Sequence, residues 1–207
     1  PSFRALRERL AAGEIGALEQ LSIISRDPAP PPAEYVSGSG GLFRDMAIHD
    51  FDMARALAGE IVEVFAAGAN LIEPAIQAAG DIDAAMLTLR ARSGALVHIS
   101  NSRRCAFGYD QRIEAFGAGG MLQALNRQAT TVRAWTDARG DAGDPALHFF
   151  IERYAEAYAA EIDFFVRCVE TGAAPSPSFD DGLEALRLAD AAEQSLRSGR
   201  AVRLDAA

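Results

Sequence analysis

Three consecutive stretches decide the fold class: IVEVFAAGANL at residues 61–71, IDAAMLTLRA at 82–91 and ALVHISNS at 95–102. Each is short, apolar and bounded by turn residues, and Ser93-Gly94 joins the last two as a hairpin. Within 95–101, Ala95, Val97 and Ile99 face one way, while Leu96, His98 and Ser100 face the other. Downstream, RIEAFG (112–117) and MLQAL (121–125) are joined across Ala118-Gly119-Gly120, a second hairpin signal. TTVRAWT (130–136) is expected to be one more strand, and LEQLSIIS (18–25) supplies one upstream.

Helices bracket this block. Phe3, Leu6 and Leu10 recur at helical spacing behind Pro1, and Gly13 ends that helix. DMAIHDFDMARALAG (45–59) carries an apolar stripe of Ile48, Phe51 and Leu57, with Gly59 as its stop. HFFIERYAEAYAAEIDFFVRCVETG (148–172) is expected as one long amphipathic helix, and a last helix runs from about Asp180 to Arg197. The acidic pair Asp180 and Asp181 suits a helix N-terminus. Residues 27–41, DPAPPPAEYVSGSGG, are expected to form a long exposed loop, either a lid or a plain linker. Helix, strand, helix, a run of strands and then helices indicate an α+β fold with a large, open, mostly antiparallel sheet rather than a βαβ series.

The composition excludes several function classes. At 207 residues, 49% hydrophobic and 24% charged, the chain is an ordinary globular sequence, expected to form a single domain. No apolar run reaches the length of a membrane span. The opening PSFRALRERL has three arginines and no apolar core segment, so no secretory leader is expected in it. The formal net charge is −9, which argues against a polyanion partner such as nucleic acid. All 20 basic residues are arginine, so no lysine Schiff base or lysine general base can come from this chain. The two cysteines, Cys105 and Cys168, are far apart and form no disulfide framework, as in a reducing cytoplasm. The abrupt helical start at Pro1 leads us to expect a piece of a longer polypeptide.

Two stretches concentrate chemistry. In DMAIHDFD (45–52), Asp45 and His49 stand at i and i+4, on one face of a helix. A carboxylate beside an imidazole suits a general base for a substrate hydroxyl; the same spacing also suits a plain surface ion pair. The glycine-rich Ser37–Gly41 just before it would let a ligand approach the helix N-terminus. A metal bound by Asp45, His49, Asp50 and Asp52 is not expected, because no second histidine lies nearby and Asp50 points off the shared face. In NSRRCAFGYDQRIEAFG (101–117), Arg103 and Arg104 offer donors to an anion or to hydroxyls, and Tyr109 offers a ring and a hydroxyl; a solvent-facing strand connection fits these residues too. Neither glycine cluster, Gly38–Gly41 or Gly117–Gly120, has the G-x-G-x-x-G spacing of a dinucleotide cradle, and no G-x-S-x-G elbow occurs.

The segments GGLFRDMAIHDFDMARALAGE, SNSRRCAFGYDQRIEAFGAGGMLQA and HFFIERYAEAYAAEIDFFV together resemble the glucose-fructose oxidoreductase/inositol dehydrogenase/rhizopine-catabolism (Gfo/Idh/MocA) family, over almost the whole chain. The D-x-x-x-H motif carries the family resemblance, and the GYD and LHFF-x-ERY segments are similar to its inositol branch. The resemblance implies the C-terminal domain of a Rossmann-containing oxidoreductase, residues 1–207 binding substrate and forming the oligomer through the open sheet around residues 82–136. The nucleotide domain, with its glycine fingerprint and E-K-P lysine, would lie outside this chain. It further implies a cytoplasmic NAD-dependent dehydrogenase acting on a cyclic polyol, myo-inositol to 2-keto-myo-inositol being the expected conversion. Another sugar or inositol isomer, or a non-catalytic assembly module, stays open. Carried over, His49 is the catalytic base and Asp45 orients it and binds ring hydroxyls. Tyr109, and with less support Arg104, Asn101 and His148, line the substrate pocket.

Overall fold

The computed structural model describes residues 1–138 and 140–204. In chain order its helices and strands are α1 (Ser2–Ala11), β1 (Leu18–Arg26), α2 (Ala33–Ser39), a π-helical turn (Phe43–Ala47) running into α3 (Ile48–Ala58), β2 (Ile61–Ala69), α4 (Pro74–Ala78), β3 (Ala84–Ala91), β4 (Leu96–Ser102), β5 (Asp110–Gly117), β6 (Gly120–Ala124), β7 (Arg133–Ala134), β8 (Ala142–Gly143), α5 (Phe150–Arg153), α6 (Ala155–Thr171), α7 (Phe179–Ser198) and β9 (Val202–Arg203).

The strands of the decisive block pair as their spacing predicts. Strands β2, β3 and β4 form an antiparallel meander, and β5 and β6 a hairpin. The sheet order is β6-β5-β1-β4-β3-β2-β9, a seven-stranded open sheet among the described residues. Its one parallel pair is β1 with β4, in which Ser25 lies opposite Asn101 and Arg26 opposite Ser102. That pairing matters for the site, because it brings the C-terminal ends of two strands to the same edge.

One face of the sheet is covered. Val97 and Ile99 of β4, Leu87 and Leu89 of β3, Leu21 and Ile23 of β1 and Ile113 of β5 point into the core against Phe51 and Ala54 of α3 and Leu188, Ala189 and Ala192 of α7. Small alanines on α7 let the helix lie close to β2, and Ser195 stitches them: its Oγ accepts from the Ala66 N–H at 2.9 Å and donates to the Arg200 carbonyl at 2.7 Å. The N-terminus of α7 closes with a capping box between Ser178 and Asp181, two residues ahead of the expected start. The opposite face carries Phe65, Met86, Leu96, Phe116 and Met121, all exposed.

The structure corrects three expectations. TTVRAWT is not a strand of the sheet; only Arg133–Ala134 pairs, with Ala142–Gly143, in a separate exposed hairpin. Its alternation has no core to face, and polar contacts such as Thr130 Oγ1 to Asp144 (2.5 Å) and Arg133 to Asp141 hold it instead. The 27–41 segment is not wholly loop, since α2 forms within it and buries Val36. The expected single helix over 148–172 breaks at Tyr154, whose φ of −112° and ψ of 12° leave the helical region. At that turn the Tyr154 hydroxyl donates to Gln111 Oε1 at 3.2 Å and its ring packs edge-on to Tyr109.

Candidate active site

At the edge where β1 and β4 end, the core face of the sheet stops being apolar. Ser25, Asn101 and Gln111 have the same strand parity as Ile23, Ile99 and Ile113, so all three point inward, and all are buried. Register places Gln111 opposite Ser25 and Ser25 opposite Asn101, a polar row across three strands. A buried polar row needs a partner, and Asp50 of α3 supplies it. Asp50 accepts from Ser25 Oγ at 2.5 Å and from Asn101 Nδ2 at 2.6 Å. Its carboxyl is pushed up to about 6 because burial penalises the charge more than these two donors favour it. Asp50 therefore fastens α3 down onto two neighbouring strands.

His49, one residue earlier, is turned outward and exposed. Asp45 lies four residues before it, within the π-helical turn. The Asp45 carboxylate does not spend its hydrogen bonds on His49. Tyr35 of α2 donates to Asp45 Oδ1 at 2.5 Å, and Arg103 donates through Nη2 to Asp45 Oδ2 at 2.6 Å. Arg103 also reaches Asp27 Oδ2 through Nη1 at 3.5 Å. Asp27 follows β1 and Arg103 follows β4, and the parallel pairing sets them side by side; the Asp27 N–H donates to the Ser102 carbonyl at 3.0 Å.

Asp27 is the electrostatic hub of this edge. Burial raises its carboxyl above the usual range, Arg103 opposes that rise, Asp45 adds to it and His49 lowers it. Tyr35 is raised by its bond to the Asp45 carboxylate. Tyr109 is half-buried, edge-on to Phe149 at 5.9 Å and to Tyr154 at 6.0 Å between ring centroids. Burial pushes its hydroxyl up first, with Tyr154, Asp27 and Asp50 adding to the rise.

The expected site residues thus divide. Asp45, His49 and Tyr109 gather around Asp27 and Asp50. Asn101 lies beneath them, buried, its amide given to Asp50. Arg104 and His148 are exposed, and the His148 N–H donates to Glu152 Oε2 at 3.0 Å. Asp27, Tyr35 and Asp50 were not singled out from sequence as site residues. Strand parity was the available signal for Asp50, since Ser25, Asn101 and Gln111 fall at core positions that need a polar group opposite. The Ser37–Gly41 approach to a helix N-terminus is filled: Asp81 Oδ1 accepts the Leu42 N–H at 3.0 Å, and a Cβ on Gly41 would stand 3.1 Å from the same oxygen. Among the described residues no group of histidine, cysteine and carboxylate side chains is arranged to hold a metal. No helix among them is long and apolar enough to cross a membrane.

A buried carboxylate beneath two half-buried ones, an exposed imidazole and a buried arginine at one end of the sheet can bind hydroxyls and accept a proton. Comparisons agree in kind. The GFO/IDH/MocA C-terminal domain family matches residues 3–123. The chain is 50% identical over 205 residues to the myo-inositol 2-dehydrogenase of Thermotoga maritima, covering 99% of this chain and 61% of that protein. It is 49% identical over 205 residues to an inositol 2-dehydrogenase of Rhizobium meliloti, covering 98% and 61%. A crystal structure of a myo-inositol dehydrogenase from Corynebacterium glutamicum superposes with a TM-score of 0.97 at 51% identity, over 100% of this chain and 62% of that one. A scyllo-inositol dehydrogenase from Lactobacillus casei, solved with bound NAD(H) and scyllo-inositol, superposes with a TM-score of 0.87 at 28% identity, over 98% and 61%. This chain therefore spans about three fifths of the length of the relatives it matches.

Proposed function

Since the chain belongs to the GFO/IDH/MocA family, we propose that it is the substrate-binding and oligomerisation domain of an NAD-dependent oxidoreductase that oxidises a ring hydroxyl of a cyclic polyol, myo-inositol to 2-keto-myo-inositol. The observation that carries this reading is the edge formed by β1 and β4, where Asp27, Asp45 and Arg103 meet beside the exposed His49. The names of the relatives that are half-identical to the chain support the choice of inositol.

His49 is the base. A carbinol carbon releases hydride only as its O–H proton leaves, so an imidazole within hydrogen-bond reach lowers that barrier. Its exposure leaves the ring free to meet a hydroxyl, and Asp50 immediately behind it keeps α3 seated while the proton moves. Asp45 accepts from ring hydroxyls, and Tyr109 covers an apolar face of the ring with Phe149 and Tyr154 behind it. Arg104 and His148, both exposed, and Asn101 beneath Asp50 complete the pocket in this reading.

NAD does not fit this chain's own glycine clusters. At Gly41 the space that a pyrophosphate would need holds the Asp81 carboxylate, and Gly117–Gly120 is the β5–β6 hairpin. The cofactor is therefore assigned to a nucleotide-binding domain outside these residues. The exposed apolar face with Phe65, Met86, Leu96, Phe116 and Met121 would be covered by a second copy of the protein, and a cytoplasmic setting suits the reduced, buried Cys105 and Cys168.

The test is NADH formation by the intact protein with a panel of inositols and sugars. Turnover with myo-inositol supports the reading, and turnover with scyllo-inositol or a hexose instead keeps the chemistry and changes the substrate. No turnover on the panel with NAD or NADP overturns it in favour of a non-catalytic module.

A further inference from the structure

Arg103 is 4% exposed and sits between two carboxylates from different parts of the chain, Asp45 in the π-helical turn and Asp27 beyond β1. Three constraints fix it. Its Nη2 and Nη1 point to those two carboxylates at 2.6 and 3.5 Å. Its backbone N–H donates to the Asp83 carbonyl at 2.9 Å. Asp83 in turn is fully buried and accepts the Leu71, Ile72 and Glu73 N–H groups, so the arginine springs from a rigid base. A planar fork presents separate nitrogens to the two acceptors in a fixed geometry, whereas an ammonium is a rotatable point charge.

The charges around it explain why such a fork is needed. Burial raises the cost of ionising Asp27, and the neighbouring Asp45 adds to it. His49, Tyr35, Asp50 and Tyr109 are the other ionisable groups coupled to this pair, and none is a fixed cation. Arg103 is the one side chain bonded to both acids among the described residues. Asp45 is thereby left with its position set by Arg103 and Tyr35 rather than by His49, and His49 keeps its ring free.

We propose that Arg103 is a positioning residue for polyol binding: it holds the Asp45 carboxylate aimed at the substrate hydroxyls while pairing with the adjacent Asp27. This rests on the dehydrogenase reading above. It also assigns the two neighbouring arginines different tasks, the buried Arg103 ordering the acids and the exposed Arg104 facing solvent.

The experiment is steady-state kinetics of the intact enzyme with Arg103→Met and Arg103→Lys. In Arg103→Met the KM for the polyol should rise by roughly 10²-fold, the scale of a misplaced binding group, with a smaller change in kcat and an unchanged KM for NAD. The acid limb of kcat/KM should move to higher pH, because the arginine then no longer opposes the rise that burial gives the Asp27 carboxyl. Arg103→Lys should restore the acid limb and leave the polyol KM raised. A wild-type polyol KM in either variant overturns the proposal. So does an equal loss of affinity for NAD and polyol with an unmoved acid limb, the mark of general structural damage. If Arg103→Met does not fold, the lysine variant decides by its KM. A wild-type enzyme inactive on every inositol refutes the dehydrogenase reading itself, and is seen before any variant is made.

Discussion

The carboxyl of Asp50 is the most heavily perturbed acid that anchors the site, and its effect on stability can be worked out with sign. It titrates near 3.8 in an unfolded chain and is pushed up to about 6 by burial in the fold. Below the lower value both states bind the proton and the group costs nothing. Between them the folded state binds more protons than the unfolded one, so stability falls as pH rises. Above about 6 both states are charged and the full penalty remains, about 3 kcal/mol at 1.36 kcal/mol for each tenfold change in acidity. Asp50→Asn should remove it. The amide can accept from Asn101 Nδ2 and donate to Ser25 Oγ, and Ser25 can then turn its proton to Gln111 Oε1, already 3.2 Å away. Each of these contacts keeps a donor and an acceptor, with no buried charge. Urea unfolding followed by circular dichroism, at about pH 5 and about pH 8, gives the difference between variant and wild type; the other acids cancel in it. The variant should be more stable than wild type at the higher pH, by up to about 3 kcal/mol, and the gap should shrink on acidification. A variant less stable than wild type by the same amount at both pH values would refute the reasoning, since it would mean that the carboxylate is well paired as an anion.

Two further outcomes are expected. His49→Ala in the intact enzyme should lower kcat by about 10²- to 10⁴-fold while leaving NAD affinity unchanged; stopped-flow or steady-state NADH formation reads this, and unaltered turnover would remove His49 from the mechanism. Leu96→Arg, on the exposed face of the central strand β4 between Gln20 and Arg90, should dissociate the proposed assembly without unfolding the domain, as read by sedimentation at micromolar protein. An unchanged sedimentation coefficient would move the interface elsewhere.

Much of this was readable in the linear chain. Alternation in 95–101 set which side of β4 is core, and Val97 and Ile99 are indeed buried while Leu96 is exposed. Glycine and proline signals placed the hairpins and helix ends, because those are local backbone preferences that need no distant partner. The motif reading also brought Asp45, His49 and Tyr109 to one region, and the expectation that these residues form the site stands as a proposal. Periodicity misled where its burial partner was absent, as at TTVRAWT, and where one side chain overrode the helix, as at Tyr154.

Most strands and helices, the core side of β4 and the lysine-free chemistry were legible in the linear chain, since composition and near-neighbour spacing are properties of the linear polymer. Only the tertiary structure decided what each polar residue does. Ser25 and Asn101 are 76 positions apart as partners in the parallel β1–β4 pair, and nothing local specifies that pairing. Once it forms, Asp27 and Arg103 are adjacent, Asp50 has a row of donors to dock on, and Asp45 is claimed by an arginine 58 residues away rather than by the histidine four residues on. Charges and hydrogen bonds act through space over a few ångströms, so their partners are set by the sheet that brings them there.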